Sequence, residues 1–278
     1  MWHNLAQLPR YRGLIQSLVA RELKARYRGS ALGAFWSFIN PLLLLSVYSV
    51  VFSYFVEARA DVKPYALFLC CGLLPWTWFA SSLNESANSL VAGGNLIKKV
   101  LFPAEVLPIV SVLTNMVQFL LALPILAGFL IYYANVGIAG PDGVIGPPRV
   151  ALYAGELVWL PLVVVVQLLL TTGLALILSA LTAHFRDVRD ILANVLTFLF
   201  FATPIIYPWF SLPDTLKPWL NVNPFTHLAI SYQEILFHPQ DAFGHKWWLL
   251  ALAAASIVIF FVGYWLFDRL RDSLSEVV

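Results

Sequence analysis

The chain has 278 residues, of which 60% are hydrophobic and only 12% are charged, with a net charge of +2. Soluble domains carry about twice that charged fraction, so the composition excludes an ordinary soluble protein. It also argues against a membrane β-barrel, whose strands alternate apolar and polar residues, because Leu160–Leu170 reads LPLVVVVQLLL, without alternation.

Six stretches without Lys, Arg, Asp or Glu are long enough to cross a membrane, because about 20 apolar residues span the hydrocarbon core as a helix. These stretches are Gly29–Val56, Pro64–Asn84, Val106–Pro141, Leu157–Ala183, Ile191–Pro213 and Trp247–Phe267. With the N-terminus in the cytoplasm, the inner segments hold 12 of the 17 Lys and Arg residues. The six stretches predict an all-α integral membrane protein with six transmembrane helices. The positive-inside rule predicts that both termini are in the cytoplasm.

The first predicted element is an amphipathic helix over residues 14–28, before the first span. Its apolar stripe is Ile15, Val19, Leu23 and Tyr27, and its basic residues are Arg21, Lys24, Arg26 and Arg28. Arg26 interrupts the stripe, so we expect its long side chain to reach round to water. A basic amphipathic helix is typical of the cytoplasmic interface, near anionic headgroups. The same charges also serve as a simple orientation signal, and both interpretations stay open.

The inner segment between spans two and three, Glu85–Glu105, is predicted to contain a break and a short helix. Gly93 and Gly94 form the break, and the helical piece ends at Phe102, because proline at 103 disfavours helix at the preceding residue. This segment is either a compact docking element or an ordinary inner loop whose lysines orient the chain.

The outer segment between spans five and six, Leu212–Lys246, contains four prolines yet is rich in apolar and aromatic residues. Its longest apolar piece, Phe225–Phe237, is too short to span, and such lengths suit re-entrant or interfacial helices. The pattern predicts two broken helices that dip back into the outer leaflet.

Aromatic rings are frequent in the spans. Many lie near span ends, where an aromatic belt is expected, but rings that face a channel would also offer apolar surfaces to the C–H groups of sugars. The candidates for such a channel are Trp36, Tyr48, Phe52, Trp76, Phe79, Phe198, Phe201 and Tyr207.

The chain lacks the motifs of an ATPase or hydrolase. It has no G-x-x-x-x-G-K-[ST] phosphate loop and no HExxH or GxSxG motif. Ion-coupled carriers usually keep charged residues inside the membrane, and the six stretches have none. His184 with Asp187 and Asp190 resembles a metal cluster, but a charged cap on a helix end is the simpler interpretation. We expect no bound metal or cofactor, and energy must come from a partner.

Several motifs together resemble the permeases of ABC exporters for polysaccharides and polyol phosphates. They are Arg21–Leu45, Gly72–Phe79, Asn95–Pro108, Phe185–Asp190, Thr203–Pro208 and Asn223–Pro224. The order matches and the resemblance covers nearly the whole chain. It is greater to O-antigen and teichoic acid exporters than to capsule exporters.

The resemblance implies a single permease domain over residues 1–278, with residues 1–28 as a cytoplasmic interface helix and 29–278 as the six-helix membrane domain. Two copies would pair with two separate ATPases, which bind ATP and Mg²⁺, in a bacterial inner membrane; no nucleic acid is involved. The substrate would be an undecaprenyl-diphosphate-linked polysaccharide of the O-antigen type. A teichoic acid, polyol-phosphate or capsule exporter is an alternative, and so is a membrane transferase acting on a polyprenyl-linked substrate.

The resemblance also implies roles for individual residues. The four basic residues of the interface helix would contact the lipid diphosphate, and the aromatic rings would line a glycan channel. Coupling to the ATPase would involve Asn95, Lys98, Lys99, Phe102, Glu105, Arg186 and Asp187. The periplasmic gate would involve Pro204, Trp209, Asn223 and Pro224.

Overall fold

The structure is a computed structural model that describes residues 8–51, 64–94, 103–136, 138–139, 145–146, 154–237 and 243–277. Ten α-helices occur in these residues: α1 Arg12–Arg26, α2 Trp36–Val50, α3 Tyr65–Ala92, α4 Val106–Val136, α5 Ala154–Leu157, α6 Leu160–His184, α7 Asp187–Phe201, α8 Lys217–Leu220, α9 Pro224–Leu236 and α10 Lys246–Val277. The strands described are one antiparallel pair, β1 Ile138–Ala139 and β2 Ile145–Gly146. The predicted all-α fold is confirmed.

Four of the described helices are long and apolar enough to cross a membrane, namely α3, α4, α6 and α10. Helix α2 is apolar but has 15 residues, and α7 also has 15. The chain is a multi-pass membrane protein, while the count of six spans stays a prediction. The end of the first predicted span, residues 52–56, lies outside the described residues.

Helix α3 ends later than its charge-free stretch does. It continues through Glu85 to Ala92, and Gly93 caps it, at the break that the Gly93-Gly94 pair predicts. Glu85 is therefore part of a membrane helix rather than the start of an inner loop. The charge-free stretch Pro64–Asn84 ends just before Glu85, and Glu85 has partners on neighbouring helices.

The core of the bundle is built around α3. This helix is apolar on all sides, as expected of a helix surrounded by others, and 83% of its most apolar window is buried. It packs against α4, α6, α7 and α9. The adjacent Cys70 and Cys71 are fully buried on α3 as free thiols, and buried free cysteines behave as small apolar side chains.

Helices α6 and α10 cross backbone against backbone. A Cβ on Gly173 would lie 2.8 Å from the Cα of Phe260, and a Cβ on Gly263 would collide with the carbonyl oxygen of Gly173. Small residues let membrane helices approach this closely, and packing rather than hydrophobicity then holds them together. Two glycines therefore set the geometry of this helix pair.

The Gly263→Ala variant tests this crossing. Because the added methyl has no space, we expect a loss of about 1–3 kcal/mol of stability, seen as a lower unfolding temperature of the purified protein. The control is Gly128→Ala in α4, where a Cβ meets nothing within 4 Å. That control should be neutral or slightly stabilising, since alanine favours helix. Equal unfolding temperatures for the two variants would contradict the close crossing.

Candidate functional site

Helix α1, which precedes the first predicted span, lies against the first turns of α4. Leu18 is buried against Val106 and Val110 of α4, flanked by Leu14 and Ile15 among others. The predicted helix is present, but the buried stripe differs from the predicted one. A repeat of four residues drifts by about 40° per step around a helix of 3.6 residues per turn, so Leu23 leaves the buried face and Tyr27 follows the helix end.

Arg26 contacts the bundle while its side chain stays 25% exposed, so the expected reach toward water is accompanied by contacts with α3 and α4. Its Nη2 donates to Oε2 of Glu85 on α3 at 2.6 Å. Its Nη1 donates to Oδ1 of Asn115 at 3.2 Å and to Oε1 of Gln118 at 3.0 Å, both on α4. The Nδ2 of Asn115 also donates to Oε2 of Glu85, at 2.7 Å. The guanidinium is thus paired and hydrogen-bonded, as a charge at membrane depth requires.

These contacts extend to α2 through hydroxyl groups. The Nε2 of Gln118 donates to the hydroxyl of Tyr27 at 3.2 Å, and that hydroxyl lies 2.8 Å from Oγ of Ser37. We call this network the polar junction; its members are Arg26, Tyr27, Ser37, Glu85, Asn115 and Gln118. It joins the end of α1 to α2, α3 and α4. Sequence analysis assigned no role to Glu85 and Asn115 here, although polar residues at membrane depth are a general signal of function.

The other predicted basic residues of the interface helix remain accessible. Arg21, Lys24 and Arg28 are exposed. Arg21 lines a groove of about 550 Å³ between α1, the end of α3 and the start of α4. Of the four predicted diphosphate contacts, these three present free surface to a ligand, whereas Arg26 is engaged in the polar junction.

A cavity of about 420 Å³ lies on the other side of the polar junction, between α2, α3 and α4. We call it the amide cavity, because three of its lining side chains are amides, Asn40, Asn115 and Gln118. Trp78 and Phe119, whose rings stack at 5.2 Å, also line it. The Nε1 of Trp78 donates to the carbonyl oxygen of Val112 at 3.2 Å, so the indole is held in place.

The predicted coupling residues are only partly described. Asn95, Lys98, Lys99 and Phe102 lie outside the described residues. Glu105 is 3% exposed, and its Oε2 has no hydrogen-bond partner. Neighbouring Ala104 packs with Ala183, Leu90, Tyr264 and Phe267. A buried Glu105 does not present its carboxylate to a partner protein in this conformation.

Arg186 and Asp187 are exposed where α7 begins. Asp187 and Asp190 lie in its first turn, where negative charge favours the helix dipole. This position fits the interpretation as a charged helix end. Among the described residues, no group of three metal-binding side chains comes together.

The predicted channel aromatics differ in exposure, from buried through half-buried to exposed. Trp76 and Phe79 are buried and pack against Phe225 of α9, with ring centroids 4.9 Å apart in both pairs. Phe198 and Phe201 on α7 are 71% and 63% exposed. Two further members are half-buried: the Nε1 of Trp36 donates to Oγ of Ser30, and Tyr48 packs against the core. Tyr207 donates its hydroxyl to the carbonyl oxygen of Phe201. Phe52 lies outside the described residues.

Two of the predicted gate residues, Asn223 and Pro224, lie at the start of α9, and a third, Pro204, contacts the same helix near its end. Asn223 caps this helix, because its Oδ1 accepts from the backbone N–H of Phe225 at 3.0 Å, and its Nδ2 donates to Oγ1 of Thr203 at 2.8 Å. Gln233 donates to the carbonyl oxygen of Pro204 at 2.8 Å. Pro224 is in the first turn of α9, and Trp209 begins a short 3₁₀ turn, Trp209–Ser211. Helix α9 is thereby fastened to the turn that follows α7.

A buried histidine pair lies between α9 and the start of α10. The Nε2 of His227 is 3.0 Å from the carbonyl oxygen of Asn221, so it carries the proton, and Nδ1 accepts from Nε2 of His245 at 2.9 Å. The indole of Trp248 stacks on His227 at 4.9 Å. Burial lowers the pKa of both imidazoles, and that of His245 falls to about 4, with the charge of His227 as a second cause. Sequence analysis missed this pair.

The family model described as ABC-2 type transporter matches residues 13–237, from α1 to the end of α9. The chain belongs to this family. The permease is therefore a membrane transport subunit rather than an enzyme, and it works with an ABC ATPase.

Curated relatives match the permease over nearly its full length. It is 37% identical over 98% of both chains to the protein named O-antigen export system permease protein RfbA of Myxococcus xanthus. It is 28% identical over 95% of both chains to a protein of the same name from Klebsiella pneumoniae. It is 25% identical over 94% of both chains to the polysialic acid transport protein KpsM of Escherichia coli.

The histidine pair predicts that the permease loses stability in acid. The folded state holds the pKa of both histidines below the ordinary value of about 6.5. Their contribution to the stability of the folded state is therefore complete above about pH 6.5. It is lost as pH falls toward the folded pKa of His245, about 4. We expect a loss of about 1–2 kcal/mol between about pH 7.5 and 5, measured by thermal unfolding of the purified permease.

The His245→Gln variant should reduce this pH dependence. His184→Gln is the control, because His184 ends α6 at the opposite end of the bundle; it should keep the wild-type pH dependence. The assignment fails if His245→Gln unfolds with the same pH profile as the parent protein.

Proposed function

We propose that this chain is the membrane-spanning subunit of an ATP-driven exporter of undecaprenyl-diphosphate-linked polysaccharide of the O-antigen type. The observation that carries the proposal is the 37% identity over 98% of both chains with the Myxococcus xanthus protein, whose name is O-antigen export system permease. A second relative of that name, from Klebsiella pneumoniae, supports it. The substrate would leave the cytoplasm across the inner membrane.

The placement of α1 supports a role in receiving a lipid-linked anion. The polar junction anchors the C-terminal end of α1 to the bundle, while Arg21, Lys24 and Arg28 stay exposed. Arginine and lysine form short, charge-assisted hydrogen bonds with phosphate oxygens. These three residues would contact the diphosphate of the lipid carrier at the cytoplasmic interface.

The surface of α7 supports a pair of permeases around a channel. Its exposed face carries Asn194 and Thr197 beside Phe198 and Phe201. Polar residues on a membrane helix usually face protein or water rather than lipid. We propose that this face lines a glycan channel between two copies of the chain, each paired with one ATPase, and that both termini are cytoplasmic.

The alternative cargo is a capsule polymer, a teichoic acid or another polyol phosphate. The name of KpsM of Escherichia coli refers to polysialic acid and supports the capsule polymer among these. The polyprenyl-linked transferase considered from the sequence is not a second candidate, because the chain belongs to the ABC-2 type transporter family. Asp187 and Asp190, which that transferase would need for a metal-diphosphate site, are exposed in the first turn of α7.

The partnership with an ATPase can be tested by co-expression with the ABC ATPase encoded beside the gene. We expect a stable complex in which the permease raises the rate of ATP hydrolysis. The permease alone, which has no phosphate loop, should hydrolyse no ATP. An ATPase that neither binds the permease nor changes its rate of ATP hydrolysis in response would refute the proposal that the chain is part of an ATP-driven exporter.

Charge reversal of the interface helix tests the anion-binding role. The Arg21→Glu, Lys24→Glu double variant should lose most export of surface polysaccharide, because carboxylates repel the diphosphate, while membrane insertion is unchanged. The matched control is Arg10→Glu with Arg12→Glu, which changes the same charge at the other end of α1. Export is read from surface polysaccharide, and orientation from labelling of engineered cysteines. Inverted topology in the first variant would show that Arg21 and Lys24 are only orientation signals.

A further inference from the structure

The amide cavity extends from the polar junction toward the middle of the bundle. It is lined at one end by Arg26 and at the other by Leu74. Leu74 precedes Glu85 by 11 positions on α3, which corresponds to about 16 Å along a helix. Its volume of about 420 Å³ is within the range of about 300–1,000 Å³ of small-molecule sites. The cavity lies within one chain and is distinct from the exposed face of α7.

The polar groups of the cavity lining are uncharged apart from Arg26. Three amides contribute to it, and Ser37, Ser81 and the hydroxyl-bearing Tyr27 lie beside them. Such groups are expensive at membrane depth unless they have partners. Asn40 lies outside the polar junction, and Gln118 uses one of its two N–H groups there, at the hydroxyl of Tyr27. An amide has two N–H donors and an oxygen acceptor, so Asn40 and Gln118 leave both donors and acceptors for a ligand.

The single charge on the cavity wall is already neutralised. Arg26 is the one charged residue among the described lining residues. Its Nη1 and Nη2 are occupied by Asn115, Gln118 and Glu85 at 2.6–3.2 Å. A phosphate would have to displace Glu85 from the guanidinium, so Arg26 is not free to bind an anion. The cavity therefore favours a neutral ligand over an anion.

Trp78 and Phe119 give the cavity a rigid apolar wall. Both side chains are less than 5% exposed, and their stacked rings fix one boundary. Polar groups that donate and accept opposite an apolar wall match a sugar ring, which carries hydroxyl groups on its rim and C–H groups on its faces. A lipid tail would offer no hydrogen bond to the polar groups of the wall.

The polar junction also separates the amide cavity from the groove beside α1. Arg26 and Asn115 line the cavity, whereas Glu22 and Glu85 line the groove. The groove carries the exposed Arg21. With a sugar in the cavity and a phosphate of the lipid carrier at Arg21, only the polar junction would therefore lie between the two groups.

We propose that the amide cavity binds one neutral sugar residue, held by Asn40, Asn115 and Gln118. This proposal rests on the proposed function, because the sugar is taken to be part of the lipid-linked glycan that is exported. Binding of the sugar itself requires only the permease chain. Asn40 is the residue best suited to a test, because it is exposed on α2 and lies outside the polar junction.

The test measures protection of a cysteine in the cavity. Ser81, on the cavity wall, is changed to cysteine in a Cys70→Ala, Cys71→Ala background, and the permease is placed in lipid nanodiscs. The rate of labelling by N-ethylmaleimide is then measured with dodecyl β-glucoside, dodecyl phosphate or free glucose, each detergent below its micelle concentration. Thr197→Cys on the exposed face of α7 is the control position.

We expect the glucoside to slow labelling at residue 81 but not at residue 197, and dodecyl phosphate to have little effect at either. Asn40→Ala should raise the half-protecting glucoside concentration about three- to tenfold, since one hydrogen bond is lost. An unchanged unfolding temperature shows that this variant folds. Protection by glucose alone means that the sugar suffices; protection by the glucoside alone means that a lipid-linked sugar is required. Equal protection by glucoside and phosphate, or none by either sugar, overturns the proposal.

The failure of this proposal is distinct from failure of the proposed function. The labelling assay uses the permease without an ATPase, so it is independent of complex formation and ATP hydrolysis. If the sugars give no protection while polysaccharide is exported, the cavity has no sugar site, whereas the proposed export function is retained. If protection is found but no ATPase binds, the sugar site stands and the exporter does not.

Discussion

The ion pair of Arg26 and Glu85 is the interaction on which the inner half of this permease depends. The guanidinium and the carboxylate lie at a partly exposed edge of the bundle, where each gives the other a charged partner. Their side chains are 25% and 37% exposed, so the pair lies at the boundary of the bundle. By fastening the end of α1 to α3, it leaves Arg21 and Lys24 accessible and separates the groove from the amide cavity.

The other end of the bundle is held by neutral contacts. Asn223 joins α9 to the turn after α7 through Thr203, and the hydroxyl of Tyr65 donates to the carbonyl oxygen of Ile206 in the same turn. Glu234 of α9 accepts from the backbone N–H groups of Gly244 and His245. Helix α9, although too short to span, is thus tied to both of its flanking segments and to α3.

Local composition was enough to predict several elements. The long apolar stretches correspond to α3, α4, α6 and α10, the basic segment to α1, and Gly93 to the end of α3. Each depends on residues close together along the chain. The resemblance to ABC permeases, which depended on motifs over nearly the whole chain, is confirmed at the level of the family. The roles of the individual site residues, the six spans and the re-entrant helices stay predictions.

The orientation of Arg26 could not be predicted, because its partner lies 59 residues away along the chain. Composition placed aromatic rings in the spans but could not separate the buried Trp76 from the exposed Phe198, since both lie in apolar stretches. Glu105 was assigned to coupling by its position in a motif, yet it is buried. In each case the outcome was decided by helix packing, which local sequence does not encode.

The glycine crossing of α6 and α10 has a mechanical consequence. Where two backbones touch without intervening side chains, neither helix can slide or rotate past the other without steric collision. These two helices therefore behave as a single rigid unit, a strut that extends from the histidine pair to the buried cluster of Phe267, Tyr264 and Leu176. Any motion that ATP hydrolysis imposes on the permease has to be absorbed at joints elsewhere. Polar contacts, such as those of α1 and α9, can be broken and remade, whereas this strut can only tilt as a whole.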